Sequence, residues 1–93
     1  MGLDLLDFTF RVEKSFGMKI HRADYDRLPR RTPFDVTAGE MHDWIVQLCK
    51  ERGVPVPFSS WNRIRRVLTD VTGKSPKLIH PETFLVRELD FST

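Results

Sequence analysis

The chain has 93 residues, 40% hydrophobic and 30% charged, which is enough for one domain with a single core and too apolar for a disordered segment. Its net charge of +2 is too small to predict a nucleic-acid partner by itself. The single cysteine, Cys49, excludes an internal disulfide and a cysteine-based zinc site. With no apolar run long enough to span a membrane, these features predict a cytoplasmic chain.

The first predicted helix covers residues 3–15. Apolar side chains recur there at intervals of three and four residues, the spacing of one helical face. Gly17 follows, where helices often end in a left-handed conformation. Two adjoining stripes make the apolar face wide, and we expect them to bury much of the helix: Leu3, Leu6 and Phe10 in one, and Leu5, Phe8, Val12 and Phe16 in the other.

Two more helices are predicted before residue 53. Residues 21–28 form a short one, with Tyr25 and Leu28 facing inward, and Pro29 stops it. The next begins at a capping box, in which Thr37 accepts from a backbone amide and Glu40 reaches back to the start of the helix. Gly53 closes this third helix, whose apolar face contains Met41, Trp44, Ile45, Leu48 and Cys49.

A fourth helix is predicted to begin at Ser59 or Ser60 and to end at Gly73. Residues 53–59 are read as a stiff proline-containing linker, and residues 74–93 as a long loop pinned to the core. Since no stretch alternates long enough for a sheet, we predict an all-α class, a small four-helix bundle in one domain over residues 1–93. The residues expected to face the core are Trp61, Ile64, Val67, Leu68 and Val71 in the helix, and Ile79, Phe84, Val86 and Leu89 in the loop.

Four stretches of the chain resemble acyl carrier proteins, but in a different order. LDLLDFTFRVEKSFG, residues 3–17, resembles the second helix of that family. MKIHRADYDRL resembles the short third helix with its preceding link, and PFDVTAGEMHDWIVQL resembles the start of the final helix. WNRIRRVLTDVTGKSPKLIHPETFLVREL, residues 61–89, is similar to the first helix and the loop after it. The resemblance implies a circular permutation: residues 3–52 hold the second to fourth family helices, residues 53–59 the linker, and residues 60–93 the first helix and its loop.

The resemblance also implies an attachment site. In this family the serine within the pattern Asp-Ser-Leu-Asp carries 4'-phosphopantetheine. When residue 93 is joined to residue 3, Thr93 takes the place of that serine and Ser92 that of the preceding aspartate. Counting backward from the first predicted helix instead puts Gly2 at the serine. Neither count restores the motif, and Ser92 and Thr93 are the two candidate attachment residues.

The function implied is that of a non-enzymatic carrier, presenting an acyl or related thioester in lipid or polyketide-type metabolism. Its partners would be acyl-transferring or acyl-activating enzymes, and the chain would be a monomer or a helix-swapped dimer. The alternative is a carrier fold that has lost the arm and serves as a protein-interaction module. The second helix of this family is acidic and docks on partner enzymes, whereas the corresponding residues 3–17 carry both acidic and basic side chains. The partner-binding candidates are Asp4, Asp7, Arg11, Arg63 and Arg66.

A third reading is nucleic-acid binding through Arg63, Arg65 and Arg66, and it is the weakest of the three because acidic residues are interspersed elsewhere. No metal site is predicted, since the three histidines share no ligand spacing. His42 and Asp43 are adjacent on a helix and are expected to point apart. We therefore predict no Ser-His-Asp arrangement and no catalytic residue.

Overall fold

A computed structural model describes residues 3–93. The α-helices in this range are α1 (Leu3–Phe16), α2 (Ala38–Glu51), α3 (Ser60–Thr72) and α4 (Leu85–Leu89). Two 3-10 helices, Arg22–Arg27 and Pro76–Leu78, lie between them. Over the described residues the β-type pairing is limited to one isolated antiparallel bridge, between Thr37 and Phe84. The all-α class is therefore confirmed.

Helix α1 buries one of its two apolar stripes. The side chains of Leu5, Phe8, Val12 and Phe16 are buried in the core. The expectation that the second stripe is also covered is wrong: Leu3, Leu6 and Phe10 are 81%, 48% and 56% exposed. The reason is that α1 packs closely against α3, and one neighbouring helix covers only part of a helical circumference.

Helix α3 lies against both α1 and α2, so a helix early in the chain and one late in it are neighbours. Its buried side chains are Ile64 and, one turn later, Val67 and Leu68. Trp44 on α2 is buried as predicted, whereas Trp61 is only partly buried against the core. One continuous cluster of buried residues joins all four α-helices.

The predicted second helix is a 3-10 helix, held to its neighbours by hydrogen bonds. The indole Nε1 of Trp44 donates to the backbone oxygen of Asp24 at 2.9 Å. Arg52 donates to the Asp24 carboxylate at 2.6 Å. Tyr25 donates its hydroxyl proton to the Thr9 hydroxyl at 2.8 Å, and Leu28 is buried. These bonds compensate for the poor intrinsic stability of so short a helix.

Helix α2 begins with the predicted capping box. The Glu40 amide donates to the Thr37 hydroxyl at 3.1 Å, and the Thr37 amide donates to the Glu40 carboxylate at 2.8 Å. The Gly39 amide donates to the backbone oxygen of Pro81 at 2.8 Å. A Cβ atom at Gly39 would lie 2.9 Å from that oxygen, so this close approach of the two backbones requires glycine.

The pairing of Arg31 with Glu40 makes the stability depend on pH. Two Arg31 hydrogen bonds at 2.8 Å are the main reason why the pKa of Glu40 falls from 4.5 to about 2. A lowered native pKa means that the stabilisation is full above about pH 4.5, the value in the unfolded chain, and is lost as the pH falls to about 2. Because the Glu40 side chain is 31% exposed, we discount the effect for solvent screening to about 1–2 kcal/mol.

Replacing Glu40 with glutamine keeps an oxygen for the Thr37 amide and removes the charge. We expect E40Q to lose about 1–2 kcal/mol at pH 7 and to show a flatter decline between pH 4.5 and 2. Urea unfolding at several pH values measures both quantities. Parallel declines for wild type and E40Q across this window would contradict the assignment.

The prediction of a long loop for residues 74–93 is wrong in part. This segment contains the 3-10 helix Pro76–Leu78 and the helix α4. Ile79 and Leu89 are buried as expected, Phe84 and Val86 only partly, and the buried Leu85 was not predicted. A five-residue helix is too short to leave a periodic pattern in the sequence. No helix within residues 3–93 has the length and apolar character required to cross a membrane.

Candidate functional site

The start of α1 is completed by Ser92. The Ser92 hydroxyl accepts from the Asp4 amide at 3.0 Å, and the Ser92 amide donates to the Asp4 carboxylate at 2.9 Å. The Leu5 amide donates to the Ser92 backbone oxygen at 3.1 Å. In a continuous helix an amide donates to the backbone oxygen four residues earlier. Ser92 therefore takes the position four residues before Leu5. Ser92 thus acts as the N-cap of α1, with Asp4 as the reciprocal partner of a capping box.

Residues 90–93 reach α1 because α4 ends in a sharp turn. Asp90 has a φ of 57° and a ψ of 31°, a left-handed conformation that aspartate tolerates better than most residues. The Phe91 amide then donates to the Leu85 backbone oxygen at 3.1 Å. The Phe91 ring packs edge-to-face against Phe8, with 6.3 Å between the ring centroids. Phe91 therefore anchors the segment that carries the cap.

The two candidate attachment residues have different surroundings. Both residues are exposed, but the Ser92 hydroxyl also accepts a hydrogen bond from the Asp4 amide. The alternative alignment falls on Gly2, which lies outside the described residues. Of the two described candidates, Ser92 therefore has a structural role as the N-cap of α1.

The predicted partner-binding residues are divided between two places. Arg11, Arg63 and Arg66 line a groove between α1 and α3, together with Lys14 and Asp70 among others. Asp7 forms an ion pair with Arg11 at 2.9 Å, and the Arg63 guanidinium donates to the Ser15 backbone oxygen at 3.3 Å. Asp4 lies instead at the N-cap contact with Ser92. The predicted partner-binding set thus contains residues of the groove between α1 and α3 and, at a different place, the capping residue Asp4.

The three arginines of the nucleic-acid reading do not share one role. Arg63 and Arg66 line the groove between α1 and α3. Arg65 donates to the Asn62 side chain on its own helix at 3.1 Å and is not among the residues that line this groove. A stripe of cations along a phosphate backbone is the usual mark of such a site, and nucleic-acid binding by these arginines stays a prediction.

Sequence reasoning missed the outer face of α1 as a surface feature. Leu3, Leu6 and Phe10 follow one another at helical spacing and are exposed. The ammonium group of Lys14 lies 4.4 Å from the centre of the Phe10 ring. The available signal was the excess width of the apolar stripe, which is greater than a single neighbouring helix needs.

A serine, a histidine and an aspartate are brought together at the junction of α2 and α3. The Ser60 hydroxyl lies 2.7 Å from Nε2 of His42, and Nδ1 of His42 lies 3.2 Å from the Asp43 carboxylate. The expectation that His42 and Asp43 point apart is therefore wrong, because the imidazole turns so that each nitrogen meets a different neighbour. The sequence analysis named Ser60 only as a possible start of the fourth helix. Its contact with His42 was not predicted, because the two residues lie 18 positions apart.

Cys49 has a structural role. It is buried, and its thiol contacts the Met18 sulfur at 3.6 Å. Burial raises the pKa of the Cys49 thiol, and the charge of Arg52 opposes that change only in part. A thiol held in its protonated form is a poor nucleophile. Among residues 3–93, no group of three or more His, Cys, Asp or Glu side chains is arranged to hold a metal ion.

In comparisons with known proteins, no family model, curated protein or solved structure matches the chain.

Proposed function

We propose that the chain is a circularly permuted, acyl-carrier-like domain that presents an acyl or related thioester on 4'-phosphopantetheine attached to Thr93. This proposal requires the late helix α3 to pack beside α1 and α2, and residues 90–93 to meet the start of α1. Contacts of both kinds are present. They are the contacts that would let the permuted order rebuild the packing of an unpermuted carrier.

The register of the cap is the observation that carries the proposal. In the family pattern Asp-Ser-Leu-Asp, the two aspartates stand three positions apart, which is the spacing of a capping box. Ser92 and Asp4 form that reciprocal pair here, at 3.0 and 2.9 Å. In this proposal Ser92 takes the part of the first aspartate of the pattern, and Thr93 takes the part of the modified serine.

The surroundings of Thr93 suit a phosphodiester. Its side chain is exposed, so a separate transferase has access to the hydroxyl. It stands at the N-terminal end of α1, where the helix dipole favours negative charge. Ser92 acts as a positioning residue through its bonds to Asp4. When bound, phosphopantetheine supplies a flexible thiol that holds the acyl group as a thioester for partner enzymes.

The test is to incubate the full chain with coenzyme A and a broad-range phosphopantetheinyl transferase, and then to weigh it. We expect the added mass of one phosphopantetheinyl group, on the peptide that contains Thr93. Thr93→Val replaces the hydroxyl with a methyl group of similar size and should stay unmodified. Thr93→Ser supplies a less hindered hydroxyl and should be modified faster than wild type.

An unchanged mass for both wild type and Thr93→Ser would end the carrier proposal for this chain. Modification of Thr93→Val would show that the hydroxyl used is another one. Ser92→Ala is a useful companion variant, because it removes the cap and retains the Thr93 hydroxyl. We expect it to be modified more slowly, since the residue before Thr93 is then held less firmly.

The second candidate function is a protein-interaction module that keeps the fold without the arm. The observation in its favour is the outer face of α1, where three large apolar side chains are exposed beside the cations Arg11 and Lys14. Contiguous apolar groups on a surface often mark a binding site. An unmodified wild-type chain in the transferase experiment would favour this candidate.

A further inference from the structure

The Asp43 carboxylate favours one tautomer of the neutral His42 ring. A carboxylate only accepts hydrogen bonds, so the Nδ1 of His42, 3.2 Å from the Asp43 carboxylate, is the nitrogen that carries the proton in the neutral ring. Nε2 then presents its lone pair to Ser60 at 2.7 Å. The Ser60 hydroxyl is therefore the donor in that bond, which is the arrangement of a nucleophile beside its general base.

We propose that Ser60 is a nucleophile that accepts an acyl group from activated esters or thioesters, with His42 as general base and Asp43 as its positioning residue. The site is separate from residues 92–93. This activity is additional to carrier function and does not depend on it. The distances of 2.7 Å and 3.2 Å are those between the members of a nucleophile, base and orienting group.

The position of Ser60 in α3 supplies a second element of such a site. Ser60 is the first residue of α3, and Ser59 before it makes no side-chain cap to the helix amides. The first amides of a helix have no partner within it, and they can donate to a negatively charged oxygen. Ser59 has a φ of 58°, an uncommon conformation for a residue other than glycine. The backbone thus turns sharply just before the nucleophile.

The chemistry near Ser60 favours an apolar acyl group. Phe58, two positions before Ser60, is 93% exposed. Trp61, the next residue, is only partly buried and lies edge-on to the His42 ring, with 6.0 Å between the ring centroids. The His42 side chain is 21% exposed, so the base is shielded from most solvent contact.

The reaction is balanced without a cofactor. As the Ser60 oxygen forms a bond to the acyl carbon, its proton passes to Nε2 of His42. The bond from the acyl carbon to the leaving oxygen or sulfur then breaks, and the leaving group takes the proton from Nε2. The products are acyl-Ser60 and a free alcohol or thiol. Water repeats the same steps to release the carboxylic acid and restore Ser60.

The experiment uses the full chain with p-nitrophenyl butyrate, and separately with a fluorophosphonate that labels activated serines. We expect p-nitrophenol release and one fluorophosphonate adduct, mapped to Ser60. Ser60→Ala should abolish both. His42→Gln keeps a hydrogen-bonding group for Ser60 but is not a base at neutral pH, and it should slow both reactions by about 100-fold or more. Ser75→Ala, an exposed serine at the 3-10 helix Pro76–Leu78, should react as wild type does.

Each outcome decides the proposal. A wild-type chain without an adduct on Ser60 overturns it. Labelling of His42→Gln at the wild-type rate also overturns it, because the contact would then be only a tether between α2 and α3. Thermal unfolding of each variant checks that the fold is intact, and the conservative Asp43→Asn, at an 84% exposed side chain, provides a second folded variant that should react more slowly.

Discussion

Replacing Phe91 with alanine is expected to lower the free energy of unfolding by about 3–5 kcal/mol, the usual cost of removing a buried phenyl ring. The Phe91 side chain is 2% exposed and packs against Phe8. Its loss should also release the cap, since Ser92, the next residue, accepts hydrogen bonds from the Asp4 and Leu5 amides. Urea unfolding measures the first effect. Faster amide exchange at Asp4 and Leu5 measures the second.

The chain contains a matched control for this variant. Phe58 is 93% exposed, so Phe58→Ala removes the same atoms without opening a cavity and should change the stability by less than about 0.5 kcal/mol. If the two variants unfold at the same urea concentration, Phe91 does not anchor residues 90–93 as described. An unchanged rate of amide exchange at Asp4 in Phe91→Ala would show that the Ser92 cap does not depend on Phe91.

Replacing Asp35 with alanine is expected to lower the free energy of unfolding by about 3 kcal/mol, because three backbone amides would lose a buried, charged acceptor. The Asp35 carboxylate accepts from the amides of Val36, Val86 and Arg87 at 2.8, 2.9 and 3.1 Å, and its side chain is 7% exposed. Two of these amides belong to the first turn of α4. A helix of five residues does not form by itself in water, so α4 depends on this carboxylate.

The measurement is again urea unfolding, now combined with amide exchange at Val86 and Arg87. Asp26→Ala is the control, since Asp26 is exposed on the first 3-10 helix and should shift stability by no more than about 0.5 kcal/mol. Asp35→Asn retains one acceptor oxygen and should fall between wild type and Asp35→Ala. Equal stability of the alanine variants at positions 26 and 35 would be incompatible with the role given to Asp35.

The sequence predicted the parts of the fold that depend on local chemistry. The capping box of Thr37 and Glu40 is one such part, and the helix ends marked by Gly17, Gly53 and Gly73, all with positive φ, are another. The parts that it missed depend on distant partners. Helix α4 rests on Asp35, about 50 positions earlier. The exposure of Leu6 and Phe10 depends on how many helices surround α1, and the width of the apolar stripe indicates it only when that number is known.

The candidate site divides in the same way. Joining residue 93 to residue 3 predicts that Ser92 and Thr93 belong near Leu3 and Asp4, and the bonds of Ser92 to Asp4 agree with that neighbourhood. The hydroxyl-to-imidazole contact of Ser60 with His42 could not be predicted, since it depends on the crossing of α2 and α3. Whether the chain is a monomer or a helix-swapped dimer stays a prediction.

The cap supplied by Ser92 also has a consequence for protein synthesis. Ser92 lies 76 positions after Phe16, an interval of roughly 4–15 s at the usual translation rate of about 5–20 residues per second. During that time the first amides of α1 have only water to bond, and a helix of this length is marginal in water. The ribosome therefore makes this helix early, but its cap forms only after residues 90–93 have been made and have packed against it.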